Sequence, residues 1–151
     1  MYRANPSLRH FAKRLIVAEA RGSKSATTQA PSFFPVPEKL RLQLVTLMGK
    51  GGFRAIMVRA HALASDEIPW LRGIQVTAEG ALDGVVTLPS SPAPAEVLEG
   101  RIVLLAQLLG LLVALIGESL TLRLVREIWP KVPLDGLDLK DEYRSNNEKT
   151  N

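Results

Sequence analysis

Sixteen consecutive residues without a charge, Ile102 to Gly117 (IVLLAQLLGLLVALIG), constrain this chain more than any other feature. As a helix the run reaches about 24 Å at ~1.5 Å per residue, short of the roughly 30 Å hydrocarbon core of a bilayer. Counting on to Leu122 adds the missing length but takes in the Glu118 carboxylate. Arg101 and Arg123 flank both ends, so charge bias orients nothing. A helix that is apolar all round must be covered by protein or by lipid. The other segments carry apolar stripes that also need cover. A soluble helical bundle is therefore expected, with a membrane span at 102–122 as the alternative.

The helix holding this run is expected to extend over about 95–129. Pro94 suits its first turn, Glu96 and Glu99 favour the N-terminal dipole, Arg123 and Arg126 favour the other end, and Pro130 stops it. On a wheel, Ala106, Gly110, Ala114, Gly117 and Thr121 form one narrow stripe of small residues. Such a stripe admits close helix packing, either within the protomer against helices 37–48 or 53–65, or across a homodimer seam. Gln107 and Glu118 lie on its margin and are expected to be buried polar groups. Gln107 then needs hydrogen-bond partners. Glu118 needs an ion pair, with Arg54 or Arg59 as candidates, or exposure at the end of the bundle.

Three further helices follow from apolar spacing. Asn5 is placed as an N-cap with Pro6 at the first helical position, and Leu8, Phe11, Ala12, Leu15 and Ile16 recur at helical intervals until Gly22. Leu40, Leu44, Leu47 and Met48 mark a helix over 37–48. Phe53, Ile56, Met57, Ala60, Leu63 and Ala64 mark another over 53–65. Gly49-Lys50-Gly51-Gly52 separates these two as antiparallel neighbours, or as the kink of one continuous helix. A minor β-hairpin fits 74–86 around Glu79-Gly80. The fold class is thus all-α, a small bundle around one long apolar helix. Its expected parts are a basic amphipathic helix (1–22), a Ser/Thr/Pro-rich linker (23–36), the bundle (37–130) and a polar, disordered tail (131–151).

Charge is distributed unevenly along these parts. Residues 1–60 hold eleven Lys/Arg against two Glu, residues 61–100 hold one Arg against six acids, and the remainder has seven of each sign. Asymmetry of this kind governs association and steering rather than fold. The basic first helix is therefore the expected partner-binding element, through Arg9, Lys13, Arg14, Phe11 and Leu15, toward a protein with an acidic surface. Its arginine-rich, acid-poor character also matches a mitochondrial transit peptide. Cytoplasmic localisation is the expectation, with mitochondrial and membrane locations as alternatives.

Chemistry has little to stand on. The 151 residues include no cysteine and two histidines, which removes thiolate catalysis, disulfides and cysteine-ligated metals. No metal or cofactor is expected. Aromatic content of 5% is thin for base stacking, and no readout motif is present, so nucleic acid is an unlikely partner. Gly49-Lys50-Gly51-Gly52 lacks the strand and the Ser/Thr that a phosphate-cradling P-loop requires, and reads as an interhelical turn.

His61 lies in Ala60-His61-Ala62-Leu63, a four-residue string that resembles the start of the histidine phosphotransfer motif, whose domains are helical bundles of this size. The motif continues with Lys and Gly, where this chain has Ala64 and Ser65. The resemblance implies a phosphorelay protein that uses His61. The residues themselves favour a non-enzymatic, regulatory interaction module acting through protein–protein association, and a homodimer.

Overall fold

The computed structural model describes residues 6–22, 34–84 and 92–132. The expected N-cap Asn5, linker residues 23–33 and tail residues 133–151 lie outside them. Four helices, α1 (Pro6–Gly22), α2 (Pro35–Glu67), α3 (Pro94–Ile116) and α4 (Glu118–Ile128), form a small all-α bundle. A 3-10 turn (Pro69–Gly73) and a two-stranded ribbon complete it. The ribbon pairs β1 (Gln75–Val76) with β2 (Leu82–Asp83) antiparallel, Gln75 opposite Asp83 and Val76 opposite Leu82.

The apolar run does what its composition demands. Residues 102–109 are buried without interruption, so this stretch of α3 is covered all round by protein. The cover comes from α1, α2 and α4. By length and composition α3 could cross a membrane, with a mean hydropathy of 2.0 over its most apolar window. Beyond Leu112 the cover thins, and Leu115 is 65% exposed.

Glycine sets both corners of the bundle. The helix expected over 95–129 is two helices, because Gly117 (φ 91°, ψ 158°) ends α3 and precedes α4. Gly49 (φ 80°, ψ 167°) kinks α2 into arms of residues 35–48 and 50–67. Both conformations fall in a region that is essentially closed to residues with a Cβ. The four-residue separator expected at 49–52 is thus a single non-helical residue, and the kinked form of the two alternatives holds. Leu47, expected to face inward, is 46% exposed next to this corner.

The first arm of α2 starts earlier than expected. Phe34, Val36 and Pro37 are buried, so positions 34–36 belong to the packed bundle rather than to the linker. The ribbon docks through glycine as well: Gly80 has φ +83°, and a Cβ there would lie 2.6 Å from the Phe53 ring. Gly100 plays the same part against the 3-10 turn, since its Cβ would meet Trp70 at 2.4 Å. The Trp70 indole Nε1 donates to the Glu96 carbonyl at 3.1 Å, fixing the turn onto α3.

Helix α1 is part of the core. Its stripe Leu8, Phe11, Ala12 and Leu15 is buried, and α1 packs on α3 and α2. Burying a side chain such as Phe11 or Leu15 stabilises by about 1.5–3 kcal/mol. The basic helix is therefore seated in the bundle.

Candidate functional site

The same 3.6-residue period gives α1 two faces. Toward the bundle it presents the buried stripe and one carboxylate, Glu19. An acid on an apolar face must be satisfied, and Glu19 is. Its Oε2 accepts from Lys39 Nζ at 2.8 Å and from Trp129 Nε1 at 2.9 Å. This clamp ties α1 to the start of α2 and to the residue that follows α4.

A second clamp holds the other end of α1. Arg9 pairs with Glu67 near the end of α2 and reaches Glu99 on α3 at 3.4 Å. Gln107 Nε2 donates to Glu67 Oε2 at 3.1 Å, so the buried amide expected at this position is satisfied. Arg9 is consequently half-buried and engaged by acids of α2 and α3. Phe11 and Leu15 are fully buried in the core and present no accessible surface. Of the five residues expected to bind a partner, Lys13 and Arg14 remain on the outside.

They share that outside with residues the sequence reading passed over. His10, Lys13, Arg14, Val17, Ala18 and Arg21 recur at intervals of three and four, opposite the buried stripe. Together with Lys131 and Val132, beyond the end of α4, they line a groove of about 750 Å³. Its floor is apolar, with Val17 40% exposed, and its walls carry Lys13, Arg14, Arg21 and Lys131. Among the described residues no carboxylate lines it, and none stands within salt-bridge distance of these four cations. The helical periodicity of the outer face could have been read from Lys13 and Arg14. The contribution of Lys131 and Val132 could not, because it arises from packing across the bundle.

The small-residue stripe divides at the corner. Ala106 is buried, Gly110 is half-buried, Ala114 is exposed, Gly117 is the break itself, and Thr121 is buried with its Oγ1 donating to the Gly117 carbonyl at 2.7 Å. At Gly110 the neighbour is Leu8 of α1, whose Cδ1 would lie 3.3 Å from an added Cβ, and not a helix of 37–65. A wheel drawn through 106–121 assumes one continuous helix, and the rotation at Gly117 removes that continuity.

Glu118 is half-buried and opens α4, where a negative charge meets the positive end of the helix dipole. His61 is half-buried on α2 with Nε2 2.7 Å from the Leu71 carbonyl oxygen. A carbonyl only accepts, so this contact requires the proton on Nε2 and withdraws that nitrogen from nucleophilic use. Ser65 Oγ lies 3.4 Å from the same atom. Lys50 and Gly51 are exposed at the corner. Burial without full solvation lowers the pKa of Arg101 from its ordinary value, which disfavours the charged form there.

The comparisons with protein families, with curated proteins and with solved structures find no match to this chain.

Proposed function

We propose that this chain is a non-enzymatic helical interaction module acting through protein–protein association, and that its docking surface is the outer face of α1. The supporting observation is the groove: four cations above an apolar floor, with no described carboxylate to neutralise them. The ligand that complements it is a protein segment alternating acids with aliphatic side chains. Aliphatic groups cover Val17, Ala18 and Val132, while carboxylates meet Lys13, Arg14, Arg21 and Lys131. Exposed ion pairs give about 0.2–1 kcal/mol each, so affinity requires both parts together. The two clamps hold the presenting helix in place, which lowers the ordering cost of binding.

The reading is of a water-soluble, cytoplasmic protein, supported by the protein cover over residues 102–109. Self-association through the exposed end of α3 near Leu115 belongs to the same reading. Solution mass in detergent-free buffer tests both. A dimer is expected, and protein recovered only with detergent contradicts the reading.

A fluorescent peptide alternating Asp and Leu tests the docking surface on the full chain. It should bind at least tenfold more tightly than its Asn counterpart, and the difference should shrink at high salt. Equal binding of the two peptides, or a preference for duplex DNA or phosphatidylserine vesicles over the acidic peptide, overturns the proposal.

A further inference from the structure

The outer face of α1 is a single row of side chains with helical spacing. His10, Lys13, Arg14, Val17, Ala18 and Arg21 stand at i, i+3, i+4, i+7, i+8 and i+11, the kind of row against which a second helix packs. Along that row the charges bracket the apolar centre. Lys13 and Arg14 lie about one turn before Val17 and Ala18, and Arg21 lies about one turn after them.

We propose that the partner of this groove is an amphipathic α-helix lying along α1, with acids two turns apart on either side of an adjacent aliphatic pair. This rests on the docking surface proposed above and assigns the conformation and register of what binds there.

Three considerations carry it. The first is backbone hydrogen bonding. The row belongs to a helix, whose amide and carbonyl groups pair with one another, and neither strand of the β1–β2 ribbon is among the described residues that line the groove. An incoming strand would find no sheet edge there and would bury unpaired amides on the apolar floor. A helix arrives with its backbone already paired.

The second is spacing. Arg14 and Arg21 stand two turns apart, about 10 Å along the axis at ~1.5 Å per residue. In a helix laid alongside, acids at i and i+7 reproduce that separation on one face, and positions i+3 and i+4 fall between them, over Val17 and Ala18. Along one face of a strand the side chains recur at roughly 7 and 13 Å, on either side of that separation. The third is charge. The same face of a second copy would set four cations against four, so the partner is an acidic helix and not another α1.

Two isomeric helix-forming peptides test the register on the full chain. One carries Glu at i and i+7 with Leu at i+3 and i+4. The other moves both Glu by two positions, which turns them to the opposite face. By fluorescence anisotropy the first should bind at least fivefold more tightly than the second. Difference far-UV circular dichroism should show it gaining helix as it binds.

Exchanging charges locates the contact. Arg21 is exposed, so Arg21→Glu leaves the bundle folded, and it should weaken the first peptide at least threefold. Lysine at one of the two acidic peptide positions, and at that one only, should restore the affinity. Isomers that bind equally, a peptide that gains no helix, or rescue by lysine at neither position or at both alike would overturn the proposal.

Failure of the helix is distinguishable from failure of the docking surface. If the Asp/Leu peptide binds more tightly than its Asn counterpart while the two isomers bind alike, docking stands and the helical partner falls. If acidic peptides of every pattern bind no better than their amide counterparts, the docking surface itself falls.

Discussion

The two faces of α1 carry the same residue types to opposite ends. Toward the bundle, buried Glu19 and half-buried Arg9 are charges with assigned partners, on the side of Phe11, Ala12 and Leu15. Outside, Lys13, Arg14 and Arg21 surround Val17 and Ala18 with no described acid opposite. A charge inside a bundle is tolerated only when it is paired, so the inner charges fix where α1 sits. A charge outside costs nothing to leave solvated, so the outer cations do not fix where α1 sits and are available to the proposed ligand. Under the proposed reading, one helix thereby separates holding from docking.

The separation can be broken from the inside first. Phe11→Ala should cost about 3–5 kcal/mol, because a fully buried ring leaves a cavity between α1 and its neighbours. Urea unfolding should show the loss as a shift in midpoint, whereas Val17→Ala on the outer face should change stability by less than about 0.5 kcal/mol. A comparable loss at both positions would mean that α1 does not have two faces.

The clamps come next. Glu19→Ala removes the acceptor for Lys39 and for the buried Trp129 indole, and should cost about 1–3 kcal/mol by thermal denaturation. Glu19→Gln, which keeps an acceptor oxygen, should recover part of that. Gly110→Leu sharpens the comparison from the α3 side. Its first added carbon already presses on Leu8 Cδ1, so a loss of about 1–3 kcal/mol is expected. Unchanged stability would place α1 farther from α3 than the packing described here.

Much of this was legible in the sequence and some of it could not have been. Periodicity identified the helices and the buried stripe Leu8, Phe11, Ala12 and Leu15, because burial of an amphipathic helix follows local spacing. The hairpin at 75–83 was signalled by Glu79-Gly80. Gly49 marked a possible corner, whereas Gly117 was read as part of one continuous helix; whether a glycine stays helical is decided by tertiary packing, and the wheel through Gly117 failed for that reason. Phe11 and Leu15 were assigned to partner binding because a sequence does not say which apolar stripe a chain covers by itself. Arg9 was assigned with them, since its partners Glu67 and Glu99 lie 58 and 90 residues away and no local signal connects them. Glu19 carried a readable hint, an acid four residues after Leu15 on the apolar face.

The most direct test of the separation is a paired measurement on the full chain bearing Lys13→Glu and Arg14→Glu. Calorimetric titration with the Asp/Leu peptide and urea unfolding are run on the same sample. Affinity should fall at least tenfold while unfolding stability stays within about 0.5 kcal/mol, as expected for solvated surface charges. Affinity unchanged by the reversal, or stability lost along with it, would contradict the account.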